Sequence, residues 1–155
     1  MELPELIPGD HLLYGPSGLF GRLICLKTWS PVCHVEIYTG DGMCAASRDG
    51  VGVNSYRLRT KQLLFVLRPK QPVDMNRALV WFQGVRGQAY DWKGILCFIL
   101  AAKQGSPTKM FCSELGARFD RNAGLDSFAP HWDADKIAPV NFLMSPAFDI
   151  VWEVK

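Results

Sequence analysis

The sequence predicts an α+β fold: short strands first, helices after them, and one closing strand. Three observations carry this. Between residues 8 and 69, short apolar segments are separated by turn signals such as Pro8-Gly9-Asp10, Gly15-Pro16-Ser17-Gly18 and Gly40-Asp41-Gly42. After Pro72 the apolar spacing becomes helical, with Ala78, Leu79, Phe82 and Val85 on one face. The last apolar run, Ile150–Val154, returns to a strand.

Taken in order, His11–Tyr14 reads as a short strand after the first turn. Leu19–Lys27 is apolar with Arg22 and Lys27 spaced along it, and reads as a short helix broken by Thr28-Trp29-Ser30-Pro31. Cys33–Thr39 alternates, which puts Cys33, Val35 and Ile37 on one side of a strand and His34, Glu36 and Tyr38 on the other. A hairpin at Gly40-Asp41-Gly42 leads to a return strand, Met43–Ala46. Asp49–Val53 gives another turn and strand, and Leu63–Arg68 a further strand stopped by Pro69. These segments predict a small antiparallel sheet. Asp74 caps a helix over Met75–Val85, closed by Gly84 and Gly87. Asp91 is expected to cap a second helix, Trp92–Lys103, ended by Gly105-Ser106-Pro107. A third begins near Phe111-Cys112 and continues through Leu115, Ala117 and Phe119, and Pro130, Pro139 and Pro146 punctuate the remainder.

The chain of 155 residues is read as one domain over 1–155. A chain of this size buries roughly 70% of its unfolded surface, so it needs no staples. Seventeen basic and 15 acidic side chains leave a net charge of +2, and the bases are scattered, so no nucleic-acid partner is expected. Met1–Glu5 carries acids and a proline where a signal peptide needs a basic and then an apolar segment, so a cytoplasmic location is expected. The longest apolar run, Gly94–Ala102, is far shorter than the roughly 18–20 residues of a membrane span. The five cysteines are odd in number and lack close pairs, which argues against a disulfide framework or a structural zinc site. No metal or organic cofactor is expected.

The sharpest chemical signal is Cys112, at the expected start of a helix. The partial positive charge at a helix N-terminus favours a thiolate, the nucleophilic form of cysteine. The alternative is a buried structural cysteine. His34 shares a strand face with Glu36, and a carboxylate-held histidine is what a cysteine nucleophile needs as its base. The alternative is a polar strand face that simply meets solvent. His11, beside Asp10, and His131 read as non-catalytic, His11 as a surface residue. Cys33 should point away from His34, while Cys25, Cys44 and Cys97 read as core. Thr28 and Ser30 read as turn residues, and Asp91 as a cap rather than a catalytic acid.

In sum these segments resemble a known set: Pro8-Gly9-Asp10 before a strand, Thr28-x-Ser30-x-x-x-His34-Val-Glu-Ile, Gly50-Val51, Gly87-x-x-Tyr90-Asp91, Phe111-Cys112-Ser113-Glu114-Leu115, Pro139 and Ser145-Pro146. The chain resembles the circularly permuted branch of the NlpC-type papain-like cysteine hydrolases, the YiiX/YaeF-like proteins, related to the lecithin:retinol acyltransferase group. The histidine precedes the cysteine, as in that branch. The resemblance implies a small antiparallel sheet or partial barrel packed on helices, with the cysteine at a helix N-terminus facing the histidine strand. It implies Cys112 as nucleophile, His34 as base and Glu36 as third member. The Cys112 N–H would supply part of an oxyanion hole, with Tyr14 or Tyr90 as a second donor.

Three functions follow as expectations. The first is an amidase or peptidase acting on a peptide or isopeptide-like bond, such as one in a cell-wall peptide, through an acyl-enzyme. The second is a lipid-directed acyl hydrolase or acyltransferase, with an apolar groove lined by Leu96, Phe98 and Ile99, or by Trp132 and Phe142. The third is a non-catalytic interaction module on the same fold.

Overall fold

The alternating segments and turn glycines of the first half condense into strands as the pattern predicts. The computed structural model describes residues 3–99 and 109–155. The elements are β1 (His11–Tyr14), α1 (Gly18–Thr28), β2 (His34–Gly40), β3 (Met43–Arg48), β4 (Gly52–Arg57) and β5 (Leu63–Pro69). Then come α2 (Met75–Val85), β6 (Ala89–Tyr90), α3 (Trp92–Ile99), β7 (Lys109–Met110), α4 (Cys112–Asn122), a 3-10 turn (Ala134–Lys136), α5 (Asn141–Met144) and β8 (Phe148–Glu153).

Among the described residues the main sheet has six strands in the order β4-β3-β2-β1-β5-β8, every neighbouring pair antiparallel. It is an open sheet with β4 and β8 at its edges. The register of β1 on β2 sets Tyr14 opposite His34 and Leu12 opposite Glu36. Strand alternation then splits the core. Val35, Ile37, Ala45 and Leu67 pack on residues of α2, α4 and the C-terminal turns, including Phe82, Leu115, Phe119 and Phe142. Leu12, Tyr14, Cys44 and Val66 form a separate cluster. Each fully buried large side chain of this kind contributes about 2–3 kcal/mol by leaving water.

Close approach fixes α4 against β2. A Cβ at Gly116 would stand 3.0 Å from Phe142 Cζ and 3.6 Å from Val35, so glycine lets helix, sheet and α5 meet. At Gly52 the backbone has φ +94°, and a Cβ would lie 2.2 Å from the Gln88 carbonyl. That contact seats the segment leading into β6 against β4.

Several boundaries differ from the pattern. β3 runs on to Arg48, because Ala46, Ser47 and Arg48 continue the ladder onto Asn54, Val53 and Gly52. The second helix is seen as Trp92–Ile99, and the remainder of the range predicted for it, with Gly105-Ser106-Pro107, lies outside the described residues. Strands β6 and β7 have two residues each, too short for any periodic signal, and pair in parallel across the chain. The expected caps hold: the Asp74 carboxylate accepts from Arg77 N at 3.0 Å and Asp91 Oδ1 from Gly94 N at 2.8 Å.

Candidate active site

The site begins with β2. Because Glu36 follows His34 by two residues, both side chains leave the same strand face, and His34 Nε2 lies 3.0 Å from Glu36 Oε1. Glu36 is fully buried and His34 half-buried. A bare carboxylate there would be costly, and two guanidinium groups offset it. Arg48 binds it bidentately, Nε to Oε1 and Nη2 to Oε2, both at 2.9 Å. Arg59 Nη2 approaches Oε1 at 3.3 Å. Both guanidiniums are braced on rings, Arg48 at 4.2 Å from the Tyr56 centroid and Arg59 at 4.5 Å from that of Tyr14.

Two non-local connections bring α4 to this strand. Ser47 Oγ donates to the Met110 carbonyl at 2.5 Å. The β6–β7 pair sets Tyr90 beside Met110, two residues before Cys112. Cys112 is therefore the first residue of α4, after an extended Phe111. Its side chain is buried, with Sγ 3.9 Å from the carbonyl of Cys33, the residue preceding His34. A small cleft opens at this junction, lined by Ser17, Phe20, Gly21, Ile24, Cys33, His34, Arg48, Asp49, Arg59 and Tyr90. A neighbouring apolar crevice reaches Cys112 past Ile24, Ile95, Phe111 and Ile137.

The surroundings shift His34 and Glu36 in opposite directions. Burial works against a charged His34, but the negative charge and hydrogen bond of Cys112, with those of Glu36, outweigh it and raise the imidazole to about 9. Burial likewise works against Glu36 as a carboxylate, yet the hydrogen bond and charge of His34, and then Arg48, hold it down at about 2. Burial pushes the Tyr90 phenol up, and the Cys112 charge adds to this, so Tyr90 stays a hydrogen-bond donor. Tyr14 is likewise pushed up by burial, but its hydroxyl is committed to the Arg59 carbonyl at 3.0 Å.

The other sequence candidates sort differently. His11 is buried rather than on the surface: Nδ1 meets the Gly9 carbonyl at 2.9 Å and Nε2 lies 3.0 Å from Asp120 Oδ1. His131 is exposed. Cys44 is buried core as expected, whereas Cys25 is only half-buried because α1 turns Ile24 inward instead. The Cys97 side chain lies outside the described residues. Cys33 is a wall of the cleft, its Sγ 3.7 Å from the Tyr14 carbonyl. Thr28 and Ser30 bond locally, to the Ile24 carbonyl at 2.9 Å and Val32 N at 3.1 Å. The groove expected from Trp132 and Phe142 is not at Cys112. Phe142 is core against His11 and Phe128, and Trp132 stacks on Phe128. Leu96 is exposed, and the Phe98 and Ile99 side chains lie outside the described residues. Arg48 and Arg59 were not legible as site residues; the signal was the need of a buried strand carboxylate for counter-charge, which spacing alone does not assign.

An antiparallel sheet packed on helices, with a cysteine-bearing helix end against a histidine strand, defines an α+β fold that solved structures share. Comparison with known proteins agrees. The chain superposes on the crystal structure of the metalloprotein yiiX from Escherichia coli O157:H7 with a TM-score of 0.71, at 14% identity, over 95% of this chain and 97% of that one. It is 32% identical over 104 residues, 62% of its length, to the "Probable lipoprotein peptidase YaeF" of Escherichia coli (strain K12). That match covers 37% of the relative, so the similarity extends over well under half the length of the curated protein. No family model matches the chain. The fold is thus that of the yiiX protein. The metal belongs to the yiiX protein: among the described residues here, no group of three or more His, Cys, Asp or Glu side chains is arranged to hold an ion. Among them, too, no helix is long and apolar enough to cross a membrane.

Proposed function

We propose that the chain is a thiol hydrolase of amide bonds, of the peptide or isopeptide kind, with Cys112 as nucleophile, His34 as base and Glu36 as the residue that orients it. One observation carries this reading: a strand histidine whose Nε2 is engaged by a buried carboxylate at 3.0 Å, next to a cysteine at a helix N-terminus. With Nε2 on Glu36, Nδ1 is the nitrogen left to accept the thiol proton. The thiolate adds to the scissile carbonyl. The oxyanion accepts from the Cys112 N–H at the start of α4 and from the Tyr90 hydroxyl. The imidazolium returns its proton to the leaving amine as the C–N bond breaks. Water, deprotonated by His34, then releases the acid from the thioester and regenerates the thiol. The name of the relative, a lipoprotein peptidase, supports the amide over other acyl bonds.

A second reading, a lipid-directed acyl hydrolase or acyltransferase, is favoured by the apolar crevice of Ile24, Ile95, Phe111 and Ile137 beside Cys112. Both use the same acyl-enzyme, so substrate choice separates them. A panel of peptide and isopeptide amides, esters and acyl thioesters, followed by mass spectrometry of the trapped enzyme, decides it. The amidase reading expects amine release and an acyl adduct on Cys112. Cleavage of esters with every amide left intact would transfer the assignment to the second reading. No adduct from any substrate would leave the fold as an interaction module.

A further inference from the structure

Helix α1 is apolar on the side that should be polar. Its inward face buries Ile24. Its outward face carries Leu19 and Leu26, two turns apart and 69% and 65% exposed, with the partly buried Leu23 between them. An exposed leucine stripe on the outward face of a helix is not the polar face that solvent favours. Trp29, which ends the helix in the left-handed conformation, is 90% exposed. The face continues onto α3, where Phe20 meets Trp92 at a ring distance of 4.5 Å, and Leu96, one turn on, is also exposed.

Among the described residues the leucine stripe is edged by exposed bases, while the exposed Asp49 stands at the cleft on the other side of α1. Arg22 and Lys27 flank the leucine stripe of α1, and Lys93 stands beside Trp92; all three are exposed. Neither α1 nor α3 contains an aspartate or glutamate. Exposed leucine and tryptophan edged by bases, without acids, is the composition of a helix that lies in a lipid interface and is held by anionic headgroups. We propose that α1 and the start of α3 dock this protein on an anionic lipid bilayer.

The place of this face gives the docking a use. Phe20, Gly21 and Ile24 of α1 also wall the cleft that holds His34 and Cys33. Helix α1 thus carries the docking face on one side and a wall of the cleft on the other, so a docked bilayer lies about one helix diameter, roughly 10 Å, from the cleft, and substrates presented at a membrane surface are brought close to it. The docking stands on the surface alone; only this consequence for substrates rests on the hydrolase reading.

The test is sedimentation of the full chain with vesicles of phosphatidylcholine, with and without roughly 30% phosphatidylglycerol, at low and high salt. Binding should require the anionic lipid and weaken with salt. The double variant R22A/K27A should bind about thirtyfold more weakly, the loss expected for two bases near the headgroups. The variant L19E/L26E should not bind, while its melting temperature and Cys112 alkylation stay at the parent values. Cys112→Ala should bind like the parent, so a failed hydrolase reading leaves the docking intact. Three results would overturn the proposal: no binding to the anionic vesicles, binding untouched by both double variants, or a self-association that L19E/L26E abolishes in a protein that ignores vesicles.

Discussion

Two histidine–carboxylate pairs stand on adjacent strands of this protein, and both measure 3.0 Å. His34 lines a cleft with Glu36 buried behind it; His11–Asp120 is sealed in the core against Phe142 and Phe148. In the core pair both ring nitrogens are taken, Nδ1 by the Gly9 carbonyl and Nε2 by Asp120. In the cleft pair Glu36 takes Nε2, and Cys112 is the neighbour that acts on the rest of the ring. A buried carboxylate alone therefore does not mark a catalytic histidine. On the proposed reading the difference lies in the cysteine that acts on His34 and in the cleft beside its ring. The carboxylates differ as well, since Glu36 carries two arginines besides its histidine.

Activity should separate the two pairs most sharply. Cys112→Ala or His34→Ala is expected to lower kcat/KM by about 10⁴-fold or more, and the double variant by scarcely more, because the two act as a unit. His11→Gln should retain the parent's rate per folded molecule. Equal losses at both histidines, in a steady-state assay on the best amide substrate, would erase the distinction. Glu36→Gln is expected to cost about 10²- to 10⁴-fold through the lost orientation of His34. It should also move the acid limb of the pH–rate profile while leaving Cys112 in place; an unchanged profile would assign Glu36 a purely structural part.

The core pair should dominate stability instead. Burial works against a charged His11, but the charge and hydrogen bond of Asp120 outweigh it, so folding raises the histidine above its usual 6.5. A group raised by folding stabilises fully below its unfolded value and loses that contribution as pH rises through the folded value. His11→Gln should therefore unfold at lower denaturant than the parent at pH 6, by about 3 kcal/mol, with the two curves converging as pH rises. A gap that stays constant with pH would mean His11 acts by packing alone. Glu36 runs the other way: its contribution is present above its unfolded value near 4.5 and fades as pH falls toward 2. The smallest effect belongs to Tyr90→Phe. It should cost about 10²-fold in kcat, at the low end for one oxyanion donor, with the Cys112 alkylation rate unchanged. A slower alkylation would show that Tyr90 instead positions the thiol.

Much of the fold was legible because its signals are local. Period-two alternation over residues 33–39 gave β2 and the shared face of His34 and Glu36, and turn glycines bounded the hairpin into β3. Asp74 and Asp91 announced their helices because a short carboxylate satisfies amides of the first turn. His11 was misplaced because a polar residue beside Asp10 looks like surface. Its partner stands on α4, and Asp10 is itself buried against Arg68 at 2.8 Å. Cys25 was misplaced because an apolar run does not say which side of a helix faces the core.

The sequence by itself determined the longer strands and helices, their order and the chemical types at residues 34, 36 and 112, since periodicity, caps and turns act over a few residues. Tertiary structure decided what surrounds them. Two-residue strands β6 and β7 bring Tyr90 beside the segment that starts α4, and Ser47 ties that segment to β3. Arg48 and Arg59 converge on Glu36 from separate places in the chain. Such contacts depend on how distant segments share one buried volume, where a charge must find its counter-charge whatever the sequence separation, and no local pattern records that choice.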